Sequence, residues 1–213
     1  MPRLSPIRRD SRLRRRPGNR PPRSVTLIVC EGETELEYLT VLCNRLGLRP
    51  AEVILAENTE GSAPISVVTC AERRAKEWGG YDHIFCVFDR DSHESFERAR
   101  SRIRQLASRR SAALPIREIV SVPCFEIWVL LHFEQSDAQF AECSEVISRI
   151  RDRHMPDYVK AKIRVANALV DRLDVALASA AWLELRAEEN NWNPYTAVHQ
   201  LVEHLRTVAA QEG

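Results

Sequence analysis

The pattern of apolar and polar positions alternates between short apolar runs and longer segments with helical spacing. Four apolar runs of strand length occur along the first half of the chain, at 25–30, 52–56, 83–88 and 117–122. Segments with apolar residues three or four positions apart follow the first three runs, at 33–46, 65–78 and 92–107. This alternation predicts an open, mainly parallel α/β sheet with helices on both faces.

The pattern changes after Pro123. Residues 124–133 are too apolar for a surface element, so they predict a buried helix. Helical spacing then predicts four more helices, at 138–152, 157–171, 174–188 and 195–209. We therefore expect an α/β core at 24–134 and a C-terminal helical region at 135–213 that packs on this core.

Residues 1–23 form a third part with a strong charge bias. They contain nine arginines and the single acid Asp10, which gives +8 and leaves −7 for the rest of a chain whose net charge is +1. Five prolines in this segment exclude a continuous helix. We predict a disordered basic arm, which either neutralises phosphates of a nucleic acid or serves as a solubilising tail.

Composition narrows the function classes further. No stretch approaches the roughly 20 consecutive apolar residues of a membrane-spanning helix, and the N-terminus lacks the apolar core of a signal peptide. The six cysteines have neither CxxC spacing nor the Cys/His spacing of zinc sites. We expect a cytoplasmic protein that does not bind membranes and whose cysteines are all reduced.

Acidic residues follow two of the predicted strands directly. Glu31 follows the first strand, and Asp89 and Asp91 follow the third. The carboxyl ends of parallel strands meet at one edge of a sheet, where ligands of such folds bind. Converging carboxylates repel one another unless a cation lies between them, and oxygen ligands of this kind suit Mg²⁺. The alternative for Asp91 is that it caps the following helix.

The segment after Glu31 offers further candidates. Gly32 permits a tight turn or a close approach to a ligand, and Thr34 and Glu35 open a helix whose N-terminal amides suit a phosphate. The alternative is a capping arrangement of Thr34 with Glu37, in which the first-turn acids complement the helix dipole.

Two later residues complete the set of candidates. Glu126 lies within the apolar segment 124–133, so it is exposed, paired with an arginine, or directed into a polar site. His93 lies beside the DxD pair and is either a phosphate or water contact or a structural residue. His132 is expected to be a packing or surface residue.

Five features in order give the chain a resemblance to RloB-like (AbiLii-type) proteins over about residues 12–206. They are the Arg-rich start and the motifs IVCEGETELEYL, VFDRDSHESFERA, SVPCFEIWVLLHFE and NPYTAVHQLVEHL. The resemblance implies a Toprim-like domain, in which Asp89 and Asp91 hold magnesium and Glu31 is a general acid/base or metal ligand. It assigns Gly32, Thr34 and Glu35 to an EGxTE signature, and Glu126 to a PxFExWxLLHF block.

The resemblance also implies a function: an Mg²⁺-dependent nuclease, with Mn²⁺ as an alternative metal, in anti-phage or abortive-infection defence. DNA or RNA would be the substrate, an ABC-type ATPase would be a partner, and a homo-oligomer is compatible with this assignment. Two alternatives stay open. One is a non-catalytic nucleic-acid-binding or regulatory subunit. The other is a haloacid-dehalogenase-type phosphatase, although in that class the DxD normally ends the first strand.

Overall fold

The structure, a computed structural model, describes residues 24–48, 51–56, 63–90, 94–109 and 113–212. Strands and helices alternate in the first half: β1 Thr26–Cys30, α1 Glu33–Arg45, β2 Ala51–Leu55, α2 Pro64–Trp78, β3 His83–Asp89, α3 Phe96–Ala107 and β4 Ile116–Val122. The second half is mainly helical: α4 Glu126–Leu131, α5 Cys143–Arg153, α6 Ile163–Val170, α7 Leu173–Glu184, β5 Tyr195–Thr196 and α8 Val198–Glu212.

The five strands form one sheet in the order β2-β1-β3-β4-β5. The first four strands are parallel, and β5 pairs with β4 in the antiparallel direction. Cys30 at the end of β1 pairs with Val87, and Asp89 at the end of β3 pairs with Ser121. The open, mainly parallel α/β fold expected from the sequence is thus confirmed, and β1, β3 and β4 end at one edge, called here the carboxyl edge.

The sheet is buried on both faces, which explains why β1 and β3 are continuously apolar. Ile28 and Cys30 of β1 belong to a core that includes residues of α1 and α4. Leu27 and Val29 point to the opposite face and belong to a second core that includes residues of α2 and α3. We call these the α1 face and the α3 face of the sheet.

The C-terminal helices extend the core of the α1 face. All six residues of α4 are buried, as expected for a helix made from the apolar segment 124–133. Helix α4 packs against β4, α5 and α7, while α6 packs on α1. The helical layer therefore fixes α4 directly beneath the carboxyl edge, where β4 ends.

Three of the four C-terminal helices begin later than predicted, whereas the helix predicted at 174–188 spans Leu173–Glu184 and ends early. Helix α5 begins at Cys143 rather than 138, and α6 begins at Ile163 rather than 157. Tyr195 and Thr196 form β5, and the hydroxyls of Thr196 and Ser121 lie 2.9 Å apart. Pairing with β4 takes these two residues out of the predicted helix 195–209, and a strand of two residues has no periodic pattern to reveal it.

The expectation that all cysteines are reduced is wrong for one pair. Cys124, after β4, and Cys143, at the start of α5, form a disulfide with a Cα–Cα distance of 5.6 Å. The fold of α5 against α4 brings together two residues that are 19 positions apart, which spacing alone could not reveal. The remaining cysteines are buried and free: Cys30, Cys43, Cys70 and Cys86.

Two further expectations concern the chain outside the sheet. The basic arm predicted at 1–23 lies outside the described residues. Across the described ranges, none of the helices has the length and apolar character needed to cross a membrane.

Candidate functional site: a carboxylate cavity at the sheet edge

Glu31 and Asp89 meet where β1 and β3 end. The main-chain N–H of Glu31 donates to the carbonyl oxygen of Val87 at 3.0 Å, which continues the β1–β3 ladder by one residue. The main-chain N–H of Asp89 in turn donates to Oε2 of Glu31 at 3.1 Å. The parallel register therefore fixes the position of both acidic residues at the carboxyl edge.

Gly32 connects Glu31 to α1 and is the N-cap of that helix. Its φ of −124° is accessible to any residue, so backbone strain does not require glycine here. A Cβ atom at this position would lie 2.7 Å from Oε2 of Glu35, however. A side chain at position 32 would therefore displace the carboxylate of Glu35, which folds back over the turn and closes one side of the site.

The capping alternative for Thr34 and Glu37 is not observed. Gly32 is the N-cap, and no side chain among the described residues caps α1. Glu33 is exposed in the first turn, as expected for a residue that complements the helix dipole. Glu35 is only 5% exposed, so its role is inside the molecule.

Six of the predicted site residues line a single cavity of about 340 Å³ at the carboxyl edge, here called the carboxylate cavity. They are Glu31, Gly32, Thr34, Glu35, Asp89 and Glu126. Four of them are acidic and come from four different places in the fold: the ends of β1 and β3, the first turn of α1, and α4. The other two predicted residues, Asp91 and His93, lie outside the described residues.

Glu126 is 1% exposed, and its carboxylate lies close to Lys160, Tyr158 and Cys143. Its Oε1 lies 2.9 Å from Nζ of Lys160 and accepts a hydrogen bond of 3.3 Å from the hydroxyl of Tyr158. Its Oε2 lies 3.0 Å from Sγ of Cys143. Of the three alternatives considered from sequence, Glu126 is thus directed into a polar site, and its cationic partner is a lysine.

Lys160 and Tyr158 are site residues that sequence reasoning missed. Both lie between α5 and α6, in a segment that the sequence pattern assigned to a helix. One signal was available: Lys160 is one of only three lysines in a chain whose other basic residues are arginines. His132, in contrast, packs in the core as expected, with Nδ1 at 2.8 Å from the carbonyl oxygen of Trp128.

The carboxylate cavity concentrates negative charge. Burial, and then the nearby Glu35, Glu126 and Glu31, raise the pKa of Asp89 well above its usual range, while Lys160 opposes this shift. Burial is also the main factor that raises the pKa of Glu35 to about 7, with further contributions from Glu126 and Glu31. A single lysine therefore does not compensate the cluster, which favours bound protons or a bound cation.

The carboxylates are not packed into one compact group. Within the described part of the chain, the only three potential metal ligands whose atoms all lie within 4.8 Å of one another are Cys124, Glu126 and Cys143. The two sulfur atoms are bonded to each other, so neither is a thiolate that can bind a metal. A cation in the carboxylate cavity would thus have one or two carboxylates of the described residues as ligands and keep other positions for further ligands, water or substrate.

The comparisons with known proteins agree with the motifs. No curated protein and no solved structure matches the chain. The family described as RloB-like protein matches residues 26–205, which include every described residue of the carboxylate cavity. The chain therefore belongs to the RloB-like family.

Proposed function

We propose that this protein is a Toprim-type, metal-dependent nuclease that cleaves phosphodiester bonds of DNA or RNA. The observation that carries the proposal is the carboxylate cavity, which is lined by Glu31, Glu35, Asp89 and Glu126 and in which the pKa values of Glu35 and Asp89 are raised. The proposed setting, anti-phage defence with an ABC-type ATPase partner, is supported by family membership and by the resemblance to AbiLii-type proteins.

The chemistry of the donors fits Mg²⁺ or Mn²⁺. The acidic side chains offer carboxylate oxygens, which hard cations prefer, and Mg²⁺ commonly takes only one or two of them. Glu31 and Asp89 would hold the ion, together with Asp91 from the DxD pair. When bound, the cation would stabilise charge on the attacking and leaving oxygens of the phosphodiester.

The remaining residues of the cavity have roles that follow from their contacts. The carboxylate of Glu31 is oriented by the N–H of Asp89, so it can accept a proton from the attacking group or return it to the leaving group. Glu126 holds Lys160 at 2.9 Å, which positions an ammonium group at the cavity. That ammonium would attract the phosphate of the substrate.

The experiment is a cleavage assay with purified Glu31→Gln and Asp89→Asn, each alone and with the ATPase partner. Labelled single-stranded DNA, double-stranded DNA and RNA are the substrates, with Mg²⁺ or Mn²⁺. We expect at least a hundredfold loss of cleavage in both variants, because each removes a charge at the reacting group.

Glu77→Gln and Asp152→Asn are matched controls at exposed positions and should cleave like the wild type. Unchanged cleavage in both site variants would contradict the proposal.

A second candidate function is a non-catalytic nucleic-acid-binding or regulatory subunit. The observation in its favour is the ion pair of Lys160 with Glu126, because a positive charge of the protein itself occupies the place beside the acidic residues. In this case the protein would bind nucleic acid but would not cleave it, whichever divalent metal ion is added. The carboxylate cavity would bind neither Mg²⁺ nor Mn²⁺.

A further inference from the structure

A second cavity of about 550 Å³ lies on the α3 face of the sheet and reaches the carboxyl edge. It runs along β4, where Val120 and Val122 form part of its wall, and it is bounded by α3 and by the segment before β5. Arg90, the residue after Asp89, stands at its end. Because successive residues of a strand point to opposite faces, Asp89 faces the carboxylate cavity and Arg90 faces this second cavity.

One wall of the second cavity is aromatic. Trp192 is 42% exposed, and its ring packs edge-on against the ring of Tyr195 with centroids 4.9 Å apart. Asn191 and Trp192 both have positive φ, 52° and 58°, a conformation that is unfavourable for a bulky residue. The chain thus holds a large indole partly in solvent, in a strained conformation, at the mouth of a cavity. Such strain is common at ligand-binding sites.

The floor of the cavity is polar and carries no excess of positive charge. Nε of Arg100 donates to both oxygens of Glu118, at 2.9 and 3.1 Å, and Nη1 of Arg100 lies 3.8 Å from Oε1 of Glu97, which also lines the cavity. The guanidinium of Arg100 also lies over the ring of Phe96, 5.6 Å from its centroid. A small anion gains little from such a floor. A planar, uncharged group with polar edges fits both the floor and the aromatic wall.

Arg90 supplies the positive charge that the floor lacks. Its main-chain N–H donates to the carbonyl oxygen of Ser121 at 2.8 Å, which fixes the residue at the end of the sheet. Within the described ranges, its guanidinium has one partner, the carbonyl oxygen of Trp192 at 3.5 Å. No carboxylate of the described residues forms an ion pair with this guanidinium, which lies between the aromatic wall and Asp89, where it can bind a phosphate.

We propose that the second cavity binds one unstacked nucleotide of a single-stranded nucleic acid. The base packs against Trp192 and Tyr195, and Arg90 contacts the adjoining phosphate, so that the strand continues over the carboxyl edge to Glu31 and Asp89. This inference rests on the proposed function, because it assumes that nucleic acid is the substrate. A planar base stacked on an aromatic side chain is a general means of binding single strands without sequence preference.

The test is equilibrium binding by the full chain in EDTA, where metal-dependent cleavage does not occur. Fluorescence anisotropy is measured with a labelled oligothymidylate and with an abasic oligonucleotide of equal length. Trp192→Ala should weaken oligothymidylate binding about tenfold, the size expected for one stacked base, and leave abasic binding unchanged. Trp192→Phe should restore most of the affinity. Arg90→Gln should weaken binding of both oligonucleotides.

Trp78→Ala is the matched control. Trp78 is 57% exposed and packs edge-on against Tyr81 with centroids 4.6 Å apart, much as Trp192 packs on Tyr195. It lies beside Val25, at the opposite edge of the sheet. The control should bind both oligonucleotides like the wild type. The proposal would be overturned if Trp192→Ala bound oligothymidylate as tightly as the wild type, or if Trp78→Ala lost as much affinity as Trp192→Ala. It would also be overturned if Trp192→Ala lost as much affinity for the abasic oligonucleotide as for oligothymidylate.

The two proposals fail in different ways. If Glu31→Gln and Asp89→Asn both cleave normally while Trp192→Ala loses affinity for oligothymidylate, the nuclease mechanism is wrong and the nucleotide site stands. If Asp89→Asn loses cleavage while Trp192→Ala binds normally, the nucleotide site is wrong and the mechanism stands. Thermal melting of each variant verifies that the compared proteins are folded.

Discussion

Glu35 folds back over Gly32 and is buried among other acids, and its protonation is therefore tied to the stability of the fold. The folded protein keeps a proton on Glu35 up to a pKa of about 7, whereas the ordinary value is 4.5. The unfolded chain loses this proton first as the pH rises. The contribution of Glu35 to stability is hence fully present below about pH 4.5 and declines until about pH 7.

Glu35→Gln should remove this dependence in metal-free protein. We expect the variant to be more stable than the wild type by up to about 3 kcal/mol above pH 7, with no difference near pH 4.5. Urea unfolding in EDTA across this pH range measures the effect. Glu37→Gln, two residues further along α1, is the control and should follow the wild type. A wild-type stability that rises from pH 4.5 to 7 relative to Glu35→Gln would contradict the assignment.

At the scale of single residues, the sequence predicted the acids at the strand ends but not their partners. Glu31 and Asp89 follow continuous apolar runs directly, and parallel strands bring such positions together. Lys160 and Tyr158 reach Glu126 from a connection between two helices. Their positions depend on how α6 packs on α1, which no local pattern encodes.

At the scale of elements, the strands and the first helices were predicted within a few residues because burial on two faces leaves continuous apolar runs. Three of the four C-terminal helices were predicted to begin too early. Residues 138–142 and 157–162 continue the apolar spacing, but in the structure they are connections between helices. Tertiary contacts hold them there: the side-chain amide of Asn193, for example, donates a hydrogen bond of 2.8 Å to the carbonyl oxygen of Phe140. The Cys124–Cys143 disulfide then ties α5 to the end of β4.

The disulfide gives a prediction at this scale. Under denaturing, non-reducing conditions we expect four titratable thiols per chain, from Cys30, Cys43, Cys70 and Cys86, and six after reduction. Closing a loop of this length contributes about 3 kcal/mol to stability, so a dithiol reductant should lower the free energy of unfolding by a similar amount. A Cys124→Ser/Cys143→Ser double variant is the control and should not respond to the reductant. Six thiols without reduction would show that the bond is not formed.

At the scale of the whole molecule, charge is divided between an acidic body and a basic N-terminal segment. Residues 1–23 carry +8 and the rest of the chain −7. An acidic body binds nucleic acid poorly at long range, while a cationic segment releases counterions from phosphates. The two proposed functions of this segment, phosphate binding and solubility, therefore predict different results when it is removed.

Deletion of residues 1–23 should weaken nucleic-acid binding at low salt by at least about tenfold and reduce the dependence of affinity on salt. Anisotropy titrations at several salt concentrations measure both quantities. A control chain with a Ser/Gly-rich segment of equal length separates the loss of charge from the loss of length. Unchanged affinity and salt dependence would favour the solubilising tail.

The central claim is that the carboxylate cavity is a divalent-cation site, and calorimetric titration tests it most directly. Mg²⁺ and Mn²⁺ are titrated into the wild type, Asp89→Asn and the exposed control Asp152→Asn at pH 7.5. We expect saturable binding by the wild type and the control, and a loss of at least tenfold in affinity for Asp89→Asn, because one charged ligand is removed. Absence of binding by the wild type, or equal affinity in all three proteins, would contradict the claim.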